Sequence, residues 1–139
     1  MTPNKYHAKK TKIDGILFDS YAEAKYYIGL KILRDAGEIL TIECHPKYIF
    51  QPAYRKCCGH IWLVHPENGI KGATICGNCG KKMKAESALY YEADFRVTYA
   101  DGHQEVIDVK GVRTRAFERS RKMFEYRYPH LTLKIVDVH

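Results

Sequence analysis

The feature that most constrains the fold is residues 90–110, YYEADFRVTYADGHQEVIDVK. Tyr91, Ala93, Phe95, Val97 and Tyr99 alternate with Glu92, Asp94, Arg96 and Thr98, a period of two that marks residues 90–99 as a strand buried on one face. Ala100-Asp101-Gly102 supplies a turn, because Gly tolerates the positive φ that tight hairpins need. A second strand follows over residues 103–110, with Val106, Asp108 and Lys110 on one face. A three-residue loop with Gly102 left-handed sets Tyr99 against His103 and Asp94 directly against Asp108. Asp is depleted in strands, and like charges facing each other across a sheet are unfavourable. A divalent cation between Asp94 and Asp108 reverses that sign, and Lys110 brings an ammonium to the face of Asp108.

The neighbouring segments supply what packs on this hairpin. Residues 16–18 form a short strand, and a helix spans residues 21–36 with Ser20 as N-cap and Gly37 just past its end. Ala24, Ile28 and Ile32 give that helix an apolar stripe, widened by Leu33 and Ala36. Glu23 has two compatible roles, closing a capping box on Ser20 or turning toward the hairpin to join a metal site. Residues 39–50 form a strand broken near Pro46. After the hairpin, Thr114 caps a helix over residues 115–126, with Phe117, Ser120 and Phe124 along one face and Met123 beside them. Arg115, Arg119 and Lys122 share another face, flanked by Arg113 and Arg121, and suit phosphate contact. A last strand covers residues 131–138.

Residues 55–84 differ in character, being rich in Gly, Cys and Lys without helical periodicity. Cys76-Gly77-Asn78-Cys79-Gly80 is a CxxC turn whose backbone amides point at thiolates, as structural zinc requires. Cys57 and His60 have the same two-residue gap and complete a four-ligand set, with Cys58 as the rival ligand. Four good ligands leave no open coordination position, so this zinc is structural, the anchor of a small ribbon inserted between core strands.

At 139 residues the chain is expected to be one domain carrying this insertion. A formal net charge of +7, from 23 Lys and Arg against 16 Asp and Glu, favours a polyanionic partner. Lys5, Lys9, Lys10 and Lys12 in the polar start of the chain suit either phosphate contact or a flexible solvated tail. No apolar run approaches the ~20 residues that cross a bilayer, and no signal-peptide core is present, so an intracellular, cytoplasmic protein is expected.

Outside residues 55–84 the order is helix, strand, hairpin, helix, strand. With Asp94 and the Asp108-Val109-Lys110 triplet, it resembles the αβββαβ core of the PD-(D/E)XK nuclease superfamily. The segments KYHAKKT, FDSYAEAKYY, YEADFRV, DVKGVRT and FEYRYP are similar to those of a family of small phage-encoded proteins assigned to that superfamily. Holliday-junction resolvases share its core and size class. The resemblance implies an α/β fold with a mixed central sheet flanked by helices, and metal-dependent cleavage of DNA, branched or structured, in the host cytoplasm. It also implies that Asp94, Asp108, Glu23 and the carbonyl of Val109 hold Mg²⁺ or Mn²⁺ while Lys110 acts in catalysis. A resolvase cuts two strands symmetrically, which implies a homodimer. The zinc insertion departs from the general pattern of such nucleases, and Asp108 stands where Glu is common. Within the enzyme class, junction resolution competes with a general duplex or restriction-like endonuclease. The rival from a different class is a non-catalytic zinc-ribbon nucleic-acid-binding protein, in which the carboxylates only make ion pairs, Glu92 with Lys110 among them.

Overall fold

The computed structural model describes residues 9–64 and 74–138. Lys5 in the first residues, and residues 65–73 of the predicted insertion, lie outside the described residues. Fifteen elements follow one another among the described residues, and the chain divides into two compact units, Met1–Lys47 with Glu92–His139, and Tyr48–Tyr91.

The first unit begins with a small hairpin, β1 (Thr11–Ile13) and β2 (Ile16–Phe18), and continues into α1 (Tyr21–Asp35) and β3 (Ile39–Cys44). The second contains β5 (Tyr54–Cys57), β6 (His60–Leu63), β7 (Thr74–Ile75), β8 (Lys82–Met83) and β9 (Ala85–Glu86), with all but the end residues Lys47 and Glu92 of β4 (Lys47–Gln51) and β10 (Leu89–Glu92). The chain then returns to the first unit through β11 (Phe95–Tyr99), β12 (Gln104–Lys110), α2 (Arg115–Arg127) and β13 (Thr132–Asp137).

In the first unit a mixed four-stranded sheet runs in the order β13-β12-β11-β3. β12 is antiparallel to β11 and parallel to β13, and β11 is antiparallel to β3. The hairpin register is the expected one: Phe95 faces Ile107, Tyr99 N–H donates to the His103 carbonyl at 2.9 Å, and Gly102 has φ +93. Being central, β12 is buried on both faces, with Val106, Ile107, Asp108 and Val109 all covered. On one face Phe95, Val97, Ile107 and Val109 pack with Phe18, Ile39 and the α1 residues Ala24, Tyr27 and Leu30. On the other, Lys110 meets the Phe117 ring of α2, 4.6 Å from its centre.

Three expectations need correction. The strand predicted over residues 90–99 is two strands, broken by a bend at Asp94. The break answers the one between β3 and β4: Ala93 N–H donates to the Pro46 carbonyl at 3.1 Å and His45 N–H to the Asp94 carbonyl at 2.9 Å. The buried stripe of α1 is Glu23, Ala24, Tyr27 and Leu30, whereas Ile28, Ile32 and Leu33 are exposed. Helical period alone does not choose between two apolar stripes, and the sheet takes the one bearing the aromatic ring of Tyr27. Finally, the unit that carries the cysteines runs from Tyr48 to Tyr91, wider than residues 55–84 at both ends, because β4 and β10 pair with each other.

Candidate active site and cysteine cluster

The site in the first unit is assembled where strands end. The bend frees Asp94 from regular pairing: its N–H donates to the Ile107 carbonyl at 3.1 Å, and its Oδ2 accepts from Val109 N–H at 2.6 Å. The carboxylate thus takes up a strand N–H of β12. The register continues from Phe95 against Ile107 to set Asp94 beside Asp108, which is 1% exposed. Burial, then the charges of Asp108 and Glu23, push the Asp94 carboxyl up to about 9.

Glu23 comes from the first turn of α1 and is 3% exposed. Its backbone N–H is capped by Ser20 Oγ at 3.1 Å, while its carboxylate turns inward and meets His45 Nε2 at 2.8 Å. Half of the predicted capping box therefore forms, and the acidic group goes to the site. Burial raises the Glu23 carboxyl above the usual range, with the His45 contact opposing it. Lys110 Nζ lies 3.3 Å from Asp108 Oδ1, so its acidic partner is Asp108 rather than the suggested Glu92.

An open cleft of about 560 Å³ is lined by Glu23, Asp94, Val109 and Lys110 together with Lys9 and Lys10. Two lysines of the chain's basic start thus stand on the rim of the acidic site. Of the predicted cations near α2, Arg113 is held by Glu118 at 2.7 Å, as is Arg121 at 2.9 Å. Arg115, Arg119 and Lys122 are exposed, and no ion pair engages them among the described residues. The helix itself is capped as expected, Thr114 Oγ1 accepting from Phe117 N–H at 3.1 Å.

His45 is the member that sequence reasoning missed. It precedes Pro46 yet has φ +54, a left-handed conformation uncommon for a non-glycine residue. Backbone strain of that kind persists where surrounding contacts over-determine it. Here the bonds to Asp94 and Glu23 do so, and the His45 ring lies 5.7 Å from that of Phe18. A histidine at a predicted strand break was the available signal.

In the second unit four cysteines converge. The ligand atoms of Cys57, Cys58, Cys76 and Cys79 all lie within 4.8 Å of one another. A tetrahedral ion with metal–sulfur bonds of about 2.3 Å needs sulfurs about 3.8 Å apart. The Cys57–Cys58, Cys57–Cys79 and Cys58–Cys76 separations are 3.7, 3.4 and 4.0 Å, so the donor set fits a metal ion such as zinc. His60 is not in the cluster: its ring lies against Trp62, 6.1 Å between centres, and Cys58 takes its place. The cause is the turn. Cys57 pairs with His60 across β5 and β6, leaving Cys58 and Gly59 as a two-residue loop with φ of +51 and +75. That loop brings the Cys58 sulfur back beside Cys57. In Cys76-x-x-Cys79 the backbone N–H groups of Cys79 and Asn78 pull the Cys76 thiol down to about 7. The Cys57 thiol is pushed up to about 12 by its contacts with the Cys79 and Cys58 sulfurs.

Among the described residues no helix is long and apolar enough to cross a membrane. No curated protein and no solved structure matches the chain. One family model does, over residues 3–138, which takes in both the carboxylate cleft and the cysteine cluster: the chain belongs to the family described as "Protein of unknown function (DUF1064)".

Proposed function

We propose that this protein is a metal-dependent DNA endonuclease with a PD-(D/E)XK-type core, acting on branched or structured DNA. The observation that carries the reading is a cleft lined by Glu23, Asp94, Lys110, Lys9 and Lys10, with the buried Asp108 beside Asp94 and Lys110 behind it. Glu23 and Asp94 line the cleft, and Asp108 lies against Lys110 and Asp94. A cation among Asp94, Asp108 and Glu23 would offset the burial and the neighbouring charges that raise the Asp94 carboxyl to about 9. An all-oxygen donor set suits a hard divalent ion, so Asp94, Asp108 and Glu23 would hold Mg²⁺ or Mn²⁺, with the Val109 carbonyl as a further donor. Such an ion, when bound, lowers the pKa of its water and offsets charge building on a phosphate.

The remaining work falls to the chain's own side chains. Val109 N–H fixes the Asp94 carboxylate, and His45 fixes that of Glu23. Lys110 packs its ammonium over Phe117 near Asp108, in reach of the cleft, where it orients a nucleophilic water or stabilises the developing phosphate charge. Lys9 and Lys10 hold flanking phosphates, with Arg115, Arg119 and Lys122 supplying further positive charge.

One specific arrangement favours a second reading. Lys110 with Asp108, and His45 with Glu23, already pair two of the three acids inside the chain, as expected of a nucleic-acid-binding protein without catalysis. Cleavage assays on four-way junctions, duplex and single strands, with Mg²⁺, Mn²⁺ or chelator, separate the two. The nuclease gives metal-dependent nicks, most on branched DNA. Binding to all three substrates without a cut in either metal contradicts it.

A further inference from the structure

We propose that Tyr21 is the base-stacking residue of the carboxylate cleft and selects DNA with unpaired nucleotides beside the cut; this specificity presupposes the nuclease function proposed above. Tyr21 is the first residue of α1, directly after the cap Ser20, and lines the cleft with Glu23, Asp94 and Lys110. At about 100° per residue, Tyr21 and Glu23 lie about 200° apart around the helix. The rotation that buries the Glu23 carboxylate therefore turns the Tyr21 ring outward, where it is 64% exposed. Among the described residues no hydrogen bond, ion pair or ring contact engages that ring. Val112, 49% exposed, lines the same cleft.

An apolar side chain alone on a surface is ordinary, but Tyr21 stands in a cleft that also presents charged groups suited to phosphate and metal. Lys9 and Lys10 supply cations for phosphates, and Tyr21 supplies a flat ring. Those are the two surfaces that a nucleotide with a free base requires. A bare phosphate would use the lysines and leave the ring uncovered. Paired bases in a duplex cover one another, so their faces reach a ring only after extrusion, which costs least where a base is already unpaired. Every base has a π face, so the contact distinguishes DNA structure without reading sequence. Its role is specificity, separate from the metal-holding work of Glu23 and Asp94.

Two measurements on the full zinc-loaded chain test this. In Mg²⁺, kcat/KM is compared on a forked DNA with single-stranded arms and on a duplex of the same sequence. Tyr21→Ala should lower the ratio of fork to duplex about tenfold, the scale of losing one stacked aromatic, and Tyr21→Phe should keep it, because the ring remains. In Ca²⁺, without turnover, a fluorescent adenine analogue placed unpaired at the fork should be quenched by the unsubstituted protein and by Tyr21→Phe. Tyr21→Ala at saturation should leave it bright. An equal loss of kcat/KM on fork and duplex, as a folding defect would give, overturns the proposal. So does quenching by Tyr21→Ala equal to that of the unsubstituted protein. A Tyr21→Phe variant as impaired as Tyr21→Ala overturns it too, by making the hydroxyl the contact. If no DNA is cut in any metal while quenching still depends on Tyr21, the nuclease function fails and the base contact stands.

Discussion

The two compact units hold themselves together by different means. The unit containing the mixed sheet has a continuous apolar cluster from Phe18 and Ile39 through Phe95, Val97 and Ile107, and its polar site is set into that frame. In the unit from Tyr48 to Tyr91 most strands are two to four residues long, and every residue of β6 is exposed. Among its described residues the buried apolar ones are few, and Cys76 is one of them. Hydrophobic burial supplies order in the first, whereas so small a core cannot offset chain entropy unaided in the second. A four-thiolate metal site, with an apparent binding free energy of about 10–16 kcal/mol in small zinc peptides, is sufficient to do so. The comparison separates the two clusters by what each does to stability. Four thiols at the tip of short strands are placed so that they could hold a metal ion such as zinc, while the carboxylates of Asp94, Asp108 and Glu23 are held in an arrangement that costs stability.

The largest effect should follow from removing the thiolates. Cys76→Ser with Cys79→Ser is expected to abolish zinc binding, about one ion per chain by elemental analysis, and to unfold the cysteine-bearing unit. Amide exchange in β11, β12 and α1 should stay slow, since their core contains none of the four cysteines. Loss of protection in those elements would show that the two units are not separately held. Next in size, Lys110→Ala should slow cleavage of bound DNA by roughly 10²-fold, the scale of one preorganised electrostatic contact. DNA affinity should change little in that variant. Cutting at the wild-type rate would make Lys110 a phosphate contact only.

A smaller effect sharpens the claim that the carboxylate site costs stability. In chelator, folded Asp94 keeps its proton up to about 9, whereas the unfolded chain loses it near the ordinary 3.8. The folded state therefore holds more protons between about pH 4 and pH 9, and stability must fall as pH rises through that window. Asp94→Asn should flatten this slope in thermal unfolding, and a retained slope would relocate its cause. The smallest expected change is that of Arg119→Ala, an exposed cation on α2. It should weaken DNA binding modestly and lower the salt slope by about one, with turnover at saturating DNA unaltered.

Much of this was legible in the sequence for identifiable reasons. Residues 94–110 declare their register because strand alternation and Asp101-Gly102 fix both pairing and turn, which alone brings Asp94 to Asp108. Ser20 and Thr114 mark helix starts because a cap is a local bond, and both form as expected. What depends on tertiary choice was not legible. Ile28 and Ile32 look like a core stripe to any periodicity argument, and only the sheet determines that Tyr27 and Leu30 face inward. His45 entered the site through a left-handed kink that pairs with another kink near residue 94, a match no local pattern encodes. Cys57-Cys58-Gly59-His60 offers two ligand choices by spacing, and backbone handedness at Cys58 and Gly59 makes the selection.

The account stands most directly on Asp108, buried at the meeting point of the acidic site and Lys110. Asp108→Asn keeps the shape of the side chain and removes its charge. Mg²⁺-dependent cleavage of a four-way junction by this variant should be undetectable, while junction binding in Ca²⁺ and the zinc content match the unsubstituted protein. Cleavage at a rate near that of the unsubstituted protein would contradict the assignment of the carboxylate cleft as an active site.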